Sequence, residues 1–275
     1  MSVNSVRGKV VVITGGARGI DAATAAALHR HGAKVAIGDI DAAVVEETGA
    51  ALGLPLAGTL DVTDPESFAG FLDRVENTLG PLDALVNNAG IMPAGKLIEE
   101  SDALTRRMLD INVYGVILGS KLAAQRMVPR RSGHVINIAS LAGQMPTAGL
   151  ATYCATKHAV LGFTESAVLE YRGSGVQFSS VLPAFVNTEL TAGTRATLGM
   201  QVEPEDIADA IVRLLAKPEP SVAVSRLAGL LVSSQKLLPR AVRQAVTEQL
   251  GMTRVFLDDV DVAARRAYED RARGV

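Results

Sequence analysis

The stretch Lys9-Val10-Val11-Val12-Ile13-Thr14-Gly15-Gly16-Ala17-Arg18-Gly19-Ile20 decides how the rest of the chain is read. After Lys9 it is a β-branched run without charge, the pattern of a strand buried on both faces. Glycines follow at once. Over residues 20–31 alanine-rich helical spacing takes over, with Gly32 as its stop. Working outward, residues 34–38 and 56–60 read as strands around a helix over 42–52. Residues 65–79 read as a helix stopped by Gly80-Pro81, and 82–86 as a strand. One long helix is predicted over 104–127, followed by a strand at 134–139, a helix at 152–171 and a strand at 176–182. Residues 191–202, rich in Thr, Gly and Ala, read as a loop. Glu203-Pro204-Glu205-Asp206 opens a helix to Ala216 with proline and acids in its first turn. Val222-Ala223-Val224 fits a last strand. Strict alternation of this kind predicts a doubly wound α/β fold, a parallel sheet with helices on both faces, built as one domain over residues 1–275.

Composition removes several function classes. Apolar residues make up 48% of the 275, too many for a disordered chain. A net charge of -2 offers no electrostatic case for nucleic acid as a partner. Cys154 is the only cysteine, so no intramolecular disulfide forms, which suits a reducing cytoplasm. Residues 1–9 lack the apolar core of a signal peptide, and no apolar run is long enough to span a bilayer. A soluble cytoplasmic protein is expected. His29 and His31 have no carboxylate or cysteine partner nearby in sequence, and no metal is expected.

The glycine cluster sits between a buried strand and a helix. There the backbone can approach a pyrophosphate, and the helix N-terminus presents free N–H groups and a positive dipole end. Asp39 ends the second strand 20 residues after Gly19. An acid at that point hydrogen-bonds the adenosine ribose of a dinucleotide; the alternative is that Asp39 caps the next helix. A carboxylate there repels the extra phosphate of NADP and favours NAD. Arg18 argues the other way, since a guanidinium in the loop could pair with that phosphate.

Tyr153 and Lys157 are four apart on a predicted helix and share one face. A lysine cation beside a phenol favours the phenolate and draws its pKa down from about 10, which makes tyrosine a usable general acid/base. The plain alternative is a half-buried tyrosine beside a lysine reaching for solvent. Ser140 lies 13 residues before Tyr153, at the end of the strand at 134–139. Ligands of a parallel sheet sit beyond such carboxyl ends. His158 reads as structural and Cys154 as a small buried apolar residue.

These motifs together resemble the short-chain dehydrogenase/reductase family. The likeness covers residues 8–190 and runs more loosely to 217. It rests on Thr14 to Gly19, Asp61-Val62, Asn87-Asn88-Ala89-Gly90, Asn112, Ser140, Tyr153-x-x-x-Lys157, and Pro183 to Thr188. The resemblance implies a Rossmann-type sheet and hydride transfer between NAD(H) and a secondary alcohol or ketone. By it Tyr153 is the acid/base and Ser140 orients the substrate oxygen. Lys157 holds the nicotinamide ribose and lowers the tyrosine pKa, and Asn112 holds a water in the proton relay. Asp61 and Val62 contact adenine, while Asn88, Ala89 and Gly90 line the cofactor cleft beside Gly15, Arg18, Gly19 and Ile20. Pro183, Val186 and Thr188 sit at the nicotinamide end. A homodimer or homotetramer is implied.

Two positions depart from the family pattern, which usually has glycine where Asp21 and Ala184 stand. Ala184 is a mild change. Asp21 puts a carboxylate in the first turn of the helix, where it competes with the pyrophosphate or turns to solvent at little cost. It is the one feature favouring a non-catalytic NAD-binding sensor on the same fold. An isomerase or dehydratase would need a further acid/base, and none is identified.

Residues 191–250 read as a substrate loop and helical lid. Leu227, Leu230, Leu231, Leu237, Leu238, Val242 and Val246 recur at roughly helical spacing, broken by Pro239. The charges over 221–247 are Arg226, Lys236, Arg240 and Arg243, all basic. This segment fits an apolar lid or subunit interface, or a membrane-surface element. The arrangement resembles family members that act on steroid- or lipid-like alcohols, which implies a bulky apolar substrate. Residues 251–275 are expected to form a tail, polar and disordered over 268–275.

Overall fold

A computed structural model describes residues 6–194, 201–235, 239, 242, 248, 255–257 and 260–274. Strand β1 (Val10–Thr14) is buried along its whole length. Its side chains alternate between two cores, as a strand's period of two requires. Val11 and Ile13 join Leu28 of α1 (Gly19–Arg30) and Ile207 and Ile211 of α7 (Pro204–Ala216). Val10 and Val12 join Phe68, Phe71 and Leu72 of α3 (Pro65–Leu79). The uncharged run after Lys9 is therefore what a strand covered on both faces needs.

The other strands are β2 (Lys34–Asp39), β3 (Leu56–Thr59), β4 (Ala84–Asn87), β5 (Gly133–Ile138), β6 (Val176–Pro183) and β9 (Ser221–Val224). With β1 they form a seven-stranded sheet in the order β3-β2-β1-β4-β5-β6-β9, every pairing parallel. Helices α2 (Ala42–Leu52), α5 (Gly115–Met127) and α6 (Ala151–Glu170) complete the two covering layers. The doubly wound fold expected from alternation is the fold observed. Strand order reverses between β1 and β4, whose ends Thr14 and Asn87 are directly paired. A crevice opens at such a switch point.

Three segments differ from expectation. The single helix over 104–127 is instead α4 (Asp102–Leu109), a π-turn over Asp110–Tyr114, and α5. A small parallel pair, β7 (Phe185–Val186) with β8 (Gln201–Val202), flanks the predicted loop, of which 195–200 lie outside the described residues. The expected polar tail carries α9 (Val262–Arg273), with Arg265, Tyr268 and Ala272 buried. An Asp261 cap on the N–H groups of Ala263 and Ala264 starts it, and Gly274 at φ +79 ends it.

Helix α8 (Arg226–Gln235) buries Ala228 and Val232 and exposes Leu227 and Leu230. Leu237, Leu238 and Val246 lie outside the described residues. Among the described residues no helix is long and apolar enough to cross a membrane.

Candidate active site

The carboxyl ends of the strands open onto a cleft of about 870 Å³. Beneath its floor the buried Thr14 hydroxyl accepts the N–H groups of Asn88 (3.1 Å) and Ala89 (3.2 Å), tying β1 to the turn after β4. Two glycines there are sterically required. Gly15 has φ +78, and a Cβ on it would lie 2.9 Å from the Ala89 backbone. A Cβ on Gly16 would lie 2.5 Å from the Ile37 side chain, so glycine lets the turn close onto β2. This bare backbone cradle, opening at the start of α1, suits a pyrophosphate.

The Asp39 carboxylate accepts from Asp41 N at 3.0 Å and from Ala17 N at 3.3 Å. The helix-capping alternative for Asp39 falls away, because Asp41 is the N-cap of α2 and accepts from Val44 N. Arg18 is already paired, at 3.1 Å, with that same Asp41. The pair holds the Asp41 carboxyl below the usual carboxylate range.

Ser140 lies two residues after the end of β5, and Tyr153 and Lys157 sit one turn apart near the start of α6. Lys157 is buried, and its ammonium donates to the Ile138 carbonyl at 2.8 Å, 5.7 Å from the Tyr153 ring centre. Burial pulls the Lys157 pKa down to about 8, opposed by the nearby Asp21 carboxyl. Burial pushes the Tyr153 phenol above its ordinary value, and the counteracting group is the Ser140 hydroxyl. In this arrangement Tyr153 holds its proton, ready to donate it.

Asn112 is tied into the interior. The π-turn carries it into the interior, where it is fully buried and absent from the cleft wall. Its amide oxygen accepts from Ile91 N at 2.8 Å; its amide nitrogen donates to Ile91 O at 2.8 Å and to Thr156 Oγ1 at 3.2 Å. One side-chain donor pins the loop after β4 and the other reaches Thr156 of α6, the residue before Lys157.

The remaining expected residues all line the one cleft: Gly15, Arg18, Gly19, Ile20, Asp39, Asp61, Val62, Asn88, Ala89, Gly90, Pro183, Val186 and Thr188. Asp21 lines it too, but does not turn to solvent. It is 5% exposed, one carboxyl oxygen accepts from the Asn88 amide, and Oδ1 has no partner. Burial, then the charge of Asp39, raises its pKa well above the ordinary carboxylate value.

Beyond Tyr153 the cleft turns apolar. Tyr153, Leu150, Met92, Val255 and Phe256 form one buried cluster, with Ile91, Phe185 and Leu190 against it. Phe256 stacks on Phe185 at 5.8 Å between ring centres. Phe256 and Tyr268 both line the cleft and were missed in the sequence, where neither stands in a motif. The only sequence signal is the amphipathic spacing of Arg265, Tyr268 and Ala272.

The short chain dehydrogenase family model matches residues 9–199. The chain belongs to that family. It is accordingly an oxidoreductase acting on CH–OH groups. This short-chain dehydrogenase is 39% identical over 220 residues to the 2,5-dichloro-2,5-cyclohexadiene-1,4-diol dehydrogenase LinX of Sphingobium indicum, covering 75% of this chain and 88% of that one. It is 37% identical over 219 residues to the 3-alpha-(or 20-beta)-hydroxysteroid dehydrogenase of Mycobacterium tuberculosis, covering 75% and 82%. A probable oxidoreductase of the same organism, EphD, is 32% identical over 259 residues, 85% of this dehydrogenase but 44% of that protein.

Proposed function

We propose that the chain interconverts a bulky, largely apolar secondary alcohol and its ketone, using NAD(H) in preference to NADP(H). The observation that carries this reading is that Ser140, Tyr153 and Lys157 open onto the same cleft as the Gly15–Gly19 cradle. A nicotinamide cofactor held along the Gly15–Gly19 cradle would supply the hydride acceptor or donor. In the reducing direction Tyr153 gives its phenolic proton to the substrate oxygen, and in the oxidising direction it takes that proton back. Ser140 holds the same oxygen by a hydrogen bond. Lys157 supplies positive charge beside the phenol and would hold the ribose hydroxyls of a bound cofactor.

NAD is favoured because both oxygens of Asp39 are fixed at the rim by backbone N–H groups while Arg18 is engaged by Asp41. The wall of Leu150, Phe185, Leu190 and Phe256 supports an apolar substrate. So do the relatives' names, one a cyclohexadienediol dehydrogenase and one a hydroxysteroid dehydrogenase. Residues 8–190 serve as the cofactor-binding and catalytic core, and the segments after 190 as the substrate end.

A panel of cyclic secondary alcohols and ketones, offered with NAD and with NADP, tests the reading through absorbance of the reduced cofactor. Turnover with NAD is expected. Tight NAD binding without turnover of any panel member would favour the sensor alternative that Asp21 raises.

A further inference from the structure

The family match ends at residue 199, yet the far wall of the cleft is built by residues after 250. That wall is fastened with unusual care. Arg265 is 1% exposed, and its guanidinium donates to Leu190 O at 2.6 Å and Met92 O at 2.6 Å. Its third arm pairs with Glu269 at 2.7 Å, and Glu269 in turn accepts from Ala94 N at 3.0 Å. Arg271 pairs with Glu189. Helix α9 is thus bound both to the loop after β4 and to the loop after β7. The chain leading into it needs two glycines: a Cβ on Gly149 would lie 2.7 Å from Phe256 O, and one on Gly193 2.4 Å from Asp261 O.

The clamp brings Tyr268 and the Arg271–Glu189 pair to the cleft, and of these Tyr268 is the buried one. Tyr268 is 8% exposed, and its phenolic oxygen accepts from Met92 N at 2.6 Å. Its own hydroxyl hydrogen is given to no acceptor among the described residues. A buried donor left without a partner is costly, and a ligand oxygen would supply the missing acceptor. The neighbouring wall, Phe256, Phe185 and Leu190, offers none from its side chains. A substrate with a single oxygen, held at Ser140 and Tyr153, would leave the Tyr268 donor unanswered.

We propose that Tyr268 is a specificity-determining residue, donating its hydroxyl hydrogen to a second oxygen of an otherwise apolar alcohol, with Arg265 as the positioning residue that holds it there. The proposal rests on the alcohol-oxidising reading above and narrows its substrate class to diols and hydroxy-ketones on an apolar ring skeleton. A site built to bond a substrate oxygen discriminates against the analogue lacking it.

The test compares a cyclic secondary alcohol having one oxygen with the diol and the hydroxy-ketone of the same skeleton. Steady-state kinetics with NAD are measured for wild type and Tyr268→Phe. Wild type should favour the doubly oxygenated substrates by kcat/KM. In Tyr268→Phe that preference should shrink about tenfold, the change falling on KM rather than kcat, with calorimetric NAD affinity held. An unaltered preference in Tyr268→Phe overturns the assignment while the alcohol reading stands. A loss falling equally on both substrate classes also overturns it, as a merely structural tyrosine would give. No turnover of any substrate by wild type overturns both.

Discussion

Asp21 is a buried carboxyl group whose burial outweighs the charge of nearby Lys157. Its ordinary remedy is to stay protonated. The folded pKa then lies above the unfolded one, so the folded chain holds the proton more tightly. Stability is lost as pH rises from about 3.9 through the raised value. Asp21→Asn keeps the Asn88 contact and removes the ionisation, so it should raise the thermal midpoint at neutral pH and flatten the dependence there. The same residue bears on the cofactor. Once ionised, it stands beside the pyrophosphate cradle, where like charges ~6 Å apart at an effective dielectric of ~20 repel by about 3 kcal/mol before relaxation. Calorimetric NAD affinity of wild type should fall as pH rises. Asp21→Gly should bind roughly tenfold tighter at the alkaline end, where the two proteins differ most. Equal affinities across the range would make Asp21 neutral and remove the only support for a sensor. At the adenosine end, a fixed carboxylate facing an added phosphate costs on the order of 1–3 kcal/mol, or about 5- to 150-fold against NADP. Titration of NADPH as tight as NADH would mean that Arg18 leaves Asp41 for the phosphate.

Among the elements, the strands were the most legible. β1 is an uncharged β-branched run, and β2 and β5 carry the short apolar runs Val35–Ile37 and Val135–Ile136, the pattern that burial on both faces requires. The Thr14–Gly19 and Tyr153–Lys157 motifs were legible for the same reason, being short and fixed to element ends. Two features had no such signature. The π-turn at Asp110–Tyr114 adds its offset inside continuous helical spacing, and Asn112 within it bonds Ile91 and Thr156. Helix α9 depends on contacts with residues 170 or more positions away, such as Tyr268 to Met92, which no local pattern announces. Its anchor can be tested. Arg265→Met leaves the half of Glu269 that it satisfied without a cation and two backbone carbonyls without a donor. Breaking a buried pair of this kind costs about 3–5 kcal/mol. Denaturant unfolding should show that loss, and hydrogen exchange should show α9 opening ahead of the sheet. A loss below ~1 kcal/mol would mean that the helix is held by packing alone.

Over the molecule as a whole, the sheet separates two cores, and it carries a buried titratable group of its own. His134 at the start of β5 bonds Ser179 Oγ at 2.8 Å through Nε2, while Nδ1 has no partner. Burial, then the charge of Lys9, lowers its pKa from 6.5 to about 4. The unfolded chain takes up a proton below 6.5 that the folded chain refuses until about 4, so stability is lost as pH falls through that window, by ~3 kcal/mol in all. His134→Gln should flatten this acid limb in pH-dependent unfolding; an unchanged slope would assign it to carboxylates. The fold's larger task is to bring the carboxyl ends of β1, β2, β4, β5 and β6 to one cleft, and the account stands on what Tyr153 does there. The most direct measurement is turnover of Tyr153→Phe on whichever alcohol wild type oxidises best, with calorimetric NAD affinity taken alongside. Loss of the acid/base should lower kcat at least ~100-fold while NAD binds within about twofold of wild type. A variant that keeps more than about half of the wild-type rate would contradict the assignment of Tyr153 as the proton-transferring group.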